Sequence, residues 1–269
     1  GRAIALAFAQ EGANLALLSR TLLETTQTAT QARSLGVKAL AIEADVSKQD
    51  VDRMIKQAIQ EFGTVDILVN NAGIQGPIGL LIENDVEHWI RTIHINLIGQ
   101  FLCIRAVLPI MMERKQGKII NLSGGGSTSA RPRFSAYAAS KAAVVRLTET
   151  LAEEMKDFNI QVNAISPGAV NTRMLDEVLE NGRMAGAKEY EDALRRKQGG
   201  GTPHEIPAKL AVFLASDESD GLTGRLISAV HDDWQDMPEQ ISKILSSDAY
   251  TLRRIDTYTL QKINPEWSI

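Results

Sequence analysis

The chain has a single cysteine among its 269 residues, Cys103, so an internal disulfide is excluded. In the apolar stretch Gly-Gln-Phe-Leu-Cys-Ile-Arg it reads as a small buried residue, and a cytoplasmic setting fits such sparing use of thiols. Positive charge is not in excess: the formal net charge is −4, which argues against nucleic acid or an anionic membrane as the main partner. No apolar run approaches the roughly 20 residues of a membrane span, so no membrane partner is expected. The four histidines, His88, His94, His204 and His231, show no metal-ligand spacing among themselves or with the cysteine, and His231-Asp232-Asp233 reads as a polar turn. No internal repeat or linker divides the chain. With 44% hydrophobic residues it can bury the core of one α/β domain.

Helical and strand patterns alternate almost to residue 230, which predicts a doubly wound, mainly parallel sheet covered by helices. Helices are expected over 2–11, 21–35 with a stop at Gly36, 48–62, 85–114, 136–157 and 204–215. Strands are expected near 14–19, 38–43, 65–70, 118–122, 161–166 and 225–229. Pro109 should kink or divide the long helix. Between Thr172 and Thr202 the pattern dissolves into charged residues and Gly199-Gly200-Gly201, which reads as a mobile flap. Residues 1–230 form the expected domain, with 231–269 as a C-terminal extension. Gly1 opens directly into a helix, although such a sheet needs a first strand feeding a phosphate-binding turn. The expectation is that about 12–20 residues precede it, from usual strand and turn lengths.

Tyr137-Ala138-Ala139-Ser140-Lys141 carries the most chemistry. One helical turn makes the tyrosine and lysine neighbours on one face, and an ammonium there should favour the phenolate and pull the phenol toward the working range. Ser19-Arg20 follows the first apolar strand, where an acidic residue would bind the ribose hydroxyls of NAD; a guanidinium suits a 2′-phosphate instead. Asp45-Val46 follows the next strand, and both Asp45 and Ser47 are good helix caps. Asn70-Asn71-Ala72-Gly73 follows the next: its small residues would let a cofactor approach the backbone, and its amides can bridge neighbouring strands. Asn96 places an amide inside a helix, where a buried partner is invited. Pro167-Gly168-Ala169-Val170-Asn171-Thr172 is a turn after the sixth strand.

These motifs in this order resemble the short-chain dehydrogenase/reductase family, from Gly1 to about Ile227. The resemblance implies a Rossmann-type fold binding NADP(H), with NAD(H) as the other candidate. Gly1 would be the last glycine of the phosphate-binding turn. Ser19, Arg20, Asp45, Val46, Asn71, Ala72 and Gly73 would line the cofactor, with Asp45 accepting from the adenine amine. Pro167 and Gly168 would lie under the nicotinamide, Val170 would hold its carboxamide, and Thr172 would sit near the phosphates. Tyr137, Lys141 and Asn96 would be catalytic, Lys141 also binding the nicotinamide ribose and Asn96 holding a proton-relay water.

The family's serine, 13 residues before the tyrosine, is replaced by Gly124 in Ser123-Gly124-Gly125-Gly126-Ser127. Ser123 is the candidate substitute if the glycine run bends the backbone, Ser127 is a second, and an absent donor is the third. Arg131 and Arg133, between this run and Tyr137, are expected either to meet an acidic or hydroxylated substrate or to be solvated. The implied activity interconverts a small-molecule carbonyl and alcohol, with a homodimer or homotetramer as the family's usual assembly. A cofactor-binding scaffold and an NAD-linked alcohol or sugar dehydrogenase are the alternatives.

Overall fold

A computed structural model describes residues 1–48 and 50–263. In chain order the elements are α1 (Arg2–Gln10), β1 (Leu15–Ser19), α2 (Leu22–Ser34), β2 (Ala39–Glu43), α3 (Val51–Phe62) and β3 (Ile67–Asn70). They continue with α4 (Val86–Ile93), α5 (Gly99–Arg114), β4 (Gly117–Leu122), α6 (Ser135–Glu154), β5 (Ile160–Ser166), α7 (Arg173–Asn181) and α8 (Ala187–Arg195). The last are α9 (Glu205–Ala215), β6 (Leu226–Ser228), α10 (Ile241–Leu245) and α11 (Thr257–Ile263).

All strand pairs are parallel. They form two ladders among the described residues, β1 with β2 and β3-β4-β5-β6. Every residue of β4 is buried, and only Ser166 of β5 is not, so these strands read as continuous apolar runs rather than alternating ones. Their side chains still alternate between faces. Ile120 and Ile165 join a core with Ile4 and Phe8 of α1 and Leu210 and Leu214 of α9. Ile119 and Val162 point to the other face, against Met54 of α3, Val107 and Met111 of α5, and Leu151 of α6. Helices on both faces make this an α/β fold of the Rossmann type. In α3 the buried set Val51, Met54, Ile55 and Ala58 marks one helical stripe, closed by Gly63 at φ 80°.

The strand carboxyl ends deliver the polar motifs. Asn70, at the end of β3, donates to Asn121 Oδ1 on β4 at 2.9 Å, and Asn121 donates to Thr148 Oγ1 on α6 at the same distance. The expected strand bridge thus continues into the covering helix.

Three expectations need correction. Pro109 sits inside α5 without dividing it; the long rod is interrupted at His94–Ile98, a wider turn around Asn96. That rod, Val86–Arg114, is long and apolar enough to cross a bilayer, contrary to the reading of the sequence, but here Cys103, Ile104, Val107 and Met111 bury it in the core. The segment read as a flap contains α7 and α8 and is tied back by a bridge between Val170 and Thr202. The extension lies along the protein: Tyr250 accepts from Leu226 of β6, Glu149 of α6 accepts from Leu252 and Arg253, and Trp234 packs on Phe213.

Replacing Asn121 with alanine strips the Asn70 amide of its buried partner. The expected cost is about 1–3 kcal/mol, read as a lower urea midpoint; an unchanged midpoint would contradict the bridge.

Candidate active site

Tyr137 and Lys141 lie one turn apart near the start of α6, with 8% and 3% of their surfaces exposed. The Lys141 ammonium is 5.6 Å from the Tyr137 ring centroid and donates to the carbonyl of Leu122, the last residue of β4, at 2.7 Å. Burial pulls the lysine down from 10.5 to about 8. Burial pushes the Tyr137 phenol up, and the charge that draws it back is Arg131. Lys141, the cation expected to favour the phenolate, stands as near the ring as Arg131 does, at 5.6 against 5.5 Å from the centroid.

Gly124 explains the missing serine. A Cβ at this position would stand 2.5 Å from the Tyr137 hydroxyl oxygen, so the phenol reaches into the space that a side chain would occupy. Ser123, the candidate substitute donor, is buried just beyond β4, and its hydroxyl donates to the Lys141 carbonyl at a long 3.4 Å. Ser127 is buried in the same turn, its N–H on the Gly124 carbonyl. The Tyr137 hydroxyl has no hydrogen-bond partner among the described residues, which leaves it available to a ligand.

Asn96 is fully buried and braces the site with its side chain. Its Oδ1 accepts from the Ile74 N–H at 2.8 Å, while Nδ2 donates to the Ile74 carbonyl at 2.9 Å and to Ser140 Oγ at 3.0 Å. Both N–H hydrogens of the amide are therefore spent within the protein, one on the Ile74 loop and one on α6. Ser140, not singled out from the sequence, completes this brace by donating to the Tyr137 carbonyl at 2.7 Å. Its position three residues after Tyr137 was the available signal.

The proposed cofactor residues follow the carboxyl ends of their strands. A Cβ on Gly73 would lie 3.3 Å from Asn96 Oδ1 and 3.5 Å from Lys141 Nζ, and one on Gly1 would lie 3.0 Å from Asn71 Nδ2. These bare backbones form a cradle running from α1 past Asn71 and Ala72 to the lysine, which fits a dinucleotide. Ser19 is spent locally, accepting from the Thr21 N–H at 3.1 Å and pairing with Thr25 Oγ1 at 2.6 Å. Arg20 is exposed and close enough to Asp45 to act on its carboxyl. Burial of that carboxyl is outweighed by two Ser47 hydrogen bonds and the charges of Arg20 and Lys48, which hold it below its usual value. Neither Asp45 nor Ser47 caps α3; they close a turn ahead of it, with Asp50 at the cap position. Val46 packs where a Cβ on Gly99 would be 2.8 Å from its Cγ2.

Beyond β5, the turn at Pro167 needs Gly168 at φ 80°. The Val170 N–H donates to the Gly168 carbonyl at 3.0 Å within this turn. Thr172 is the N-cap residue of α7, its side chain making no capping bond. No metal-binding group of His, Cys, Asp or Glu occurs among the described residues; Asp232 accepts from the Ser228 N–H at 2.6 Å. Arg131 is paired with Glu189 of α8, and Arg133 donates to the Met184 carbonyl at 3.2 Å at the surface.

A phenol and a buried lysine at the carboxyl edge of a parallel sheet, beside a bare-backbone cradle, define a dinucleotide-dependent oxidoreductase site. The family model described as enoyl-(acyl carrier protein) reductase matches residues 1–229. A Thermotoga maritima 3-oxoacyl-[acyl-carrier-protein] reductase, FabG, is 36% identical over 84% of this chain and 90% of its own length. The Thauera aromatica (2S)-[(R)-hydroxy(phenyl)methyl]succinyl-CoA dehydrogenase subunit BbsD is 37% identical over 84% and 89%. Among solved structures, NAD+-bound xylitol dehydrogenase superposes with a TM-score of 0.79 at 28% identity, covering 85% of this chain and 92% of that one. Levodione reductase gives 0.78 at 28%, covering 87% and 92%. The chain belongs to the short-chain dehydrogenase/reductase family of NAD(P)-dependent oxidoreductases.

Between about pH 8 and 10.5 the unfolded chain binds a proton at Lys141 that the native protein does not, so this group makes stability rise with pH across that window. In Lys141→Met that contribution should vanish from urea midpoints measured from pH 8 to 10.5. Equal slopes in parent and variant would contradict the burial of the ammonium.

Proposed function

We propose that the protein interconverts a ketone and a secondary alcohol with NADP(H), Tyr137 exchanging the proton at the carbonyl oxygen. The observation that carries this reading is the Tyr137 hydroxyl, unpartnered among the described residues and seated against the bare backbone of Gly124, one turn from a buried lysine. When bound, the dihydronicotinamide supplies the hydride. In reduction the phenol donates its proton to the substrate oxygen, and in oxidation the phenolate takes it back. Lys141, protonated at neutral pH and fixed on the Leu122 carbonyl, supplies a positive field at the site. Asn96 and Ser140 hold the loop at Ile74 and the helix at Tyr137 in register.

Lys141 and residues Asn71–Gly73 would hold the nicotinamide ribose, and the α1 end at Gly1 the pyrophosphate. Arg20 favours NADP(H) over NAD(H), since its exposed guanidinium suits a 2′-phosphate. Ile78, Phe134, Leu175, Val178 and Ala185 surround Tyr137 with apolar surface, while Arg131 is paired with Glu189 and Arg133 is turned to Met184. A substrate with an apolar or acyl group beside the carbonyl is therefore favoured over an acidic one. The two relatives described above are named for a 3-oxoacyl-[acyl-carrier-protein] and a [(R)-hydroxy(phenyl)methyl]succinyl-CoA, which supports the acyl part of this reading. Exposed Val86, Ile90, Ile98 and Phe101 along the α4–α5 rod support a homodimer or homotetramer.

The test follows NADPH and NADH oxidation over a panel of ketones, keto sugars and acyl thioesters. Tyr137→Phe should lose about 10²–10⁴-fold in turnover. Arg20→Ala should weaken NADPH while sparing NADH. A Tyr137→Phe variant of full activity would sink the mechanism, and an unchanged cofactor preference in Arg20→Ala would sink the choice of NADP(H).

A further inference from the structure

The glycine run opposite Tyr137 carries a cation on its surface. A Cβ at Gly126, which adopts φ 90°, would be 3.1 Å from Arg131 Cβ, and one at Gly125 would be 4.0 Å from its Cδ. The arginine stem thus lies along the backbone that replaces the family's serine. Its guanidinium carbon sits 3.9 Å from the Phe134 ring centroid and 5.5 Å from that of Tyr137. Glu189 closes the guanidinium fork from α8, accepting from Nε at 2.8 Å and from Nη2 at 3.0 Å. The side chains are only 17% and 28% exposed, so solvent screens this pair weakly.

We propose that Arg131, held in place by Glu189, is a positioning residue that sets how readily Tyr137 releases its proton, and that α8 acts on the catalytic phenol through this pair. The inference rests on Tyr137 being the acid/base group. A fixed cation near a phenol favours the phenolate, and a carboxylate behind the cation opposes it. A bidentate fork keeps both charges at defined distances.

Two cations flank Tyr137, Lys141 of its own helix at 5.6 Å and Arg131 at 5.5 Å from the ring centroid, and of the two Arg131 is the one with a carboxylate partner among the described residues. The Lys141 ammonium is bonded to Leu122. Helix α7 presents Leu175 and Val178, while its Glu177 senses Arg173, Glu180 and His88. Helix α8 adds Ala193, and the loop after β3 adds Ile78. Arg133 is turned to Met184. Burial pushes the Tyr137 phenol up, and Arg131 is the charge pulling it down.

Tyr137 can be titrated directly in the ultraviolet, as the difference between a protein and its Tyr137→Phe counterpart. Arg131→Met should move the midpoint to higher pH, whereas Glu189→Gln, which leaves the cation uncompensated, should move it to lower pH. The pH profile of alcohol oxidation, which needs the phenolate, should follow the same opposite displacements. Arg131→Lys, which keeps the charge but loses the fork, should stay nearer the parent than Arg131→Met does. Midpoints that do not move, that move together, or that are the same for the lysine and methionine variants would overturn the inference while leaving Tyr137-dependent turnover standing. Full activity in Tyr137→Phe alone would instead overturn the acid/base reading beneath it.

Discussion

The ammonium of Lys141, buried against the carbonyl that ends β4, is the constraint on which the site depends. Burying a charge is costly unless it is hydrogen-bonded, and here the partner is a backbone group at a position set by sheet register. The same residue therefore ties α6 to the strand end and brings a positive charge beside the cradle at Gly73. Its proton is held near the working range because burial opposes it, not because a counter-ion supports it. A site arranged this way needs rigid surroundings. They are supplied by the fully buried β4, the amide bridge from Asn70 to Thr148, and Asn96 clasping both the Ile74 backbone and Ser140.

Around that fixed centre the phenol and its environment fit together by volume. Gly124 yields its side-chain space to the Tyr137 hydroxyl, and the next two glycines bring the Arg131 stem against the same backbone. The segment carrying α7 and α8 then closes the apolar wall, with Ala185 and Ala193 against Phe134 and Tyr137. One ion pair, Arg131 with Glu189, joins the wall to the loop. The absence of the family's serine is thus coupled to a repacked neighbourhood rather than to an empty one.

Much of this was legible in the sequence because it is local. Short apolar runs marked the strands within a few residues, and Tyr137 with Lys141 on one helical face needed only the helix repeat. The interruption of the long rod was assigned to Pro109, whereas it lies at Asn96, where a buried amide has to reach Ile74 across 22 residues of sequence. Helices α7 and α8 were hidden because each buries only one or two side chains, so charged residues dominated their pattern. Glu189 could not be found at all: its partner is 58 residues away and nothing in its own neighbourhood marks it.

The central claim is that Tyr137 works in the space left by Gly124, without a serine beside it. Turnover of Gly124→Ser, set against the parent with NADPH and the same ketone, tests this most directly. The account predicts a fall, because the new Cβ would meet the phenol oxygen at 2.5 Å and displace it. A rise in turnover would contradict it, showing that the parent merely lacks a hydrogen-bond donor that the site can accommodate.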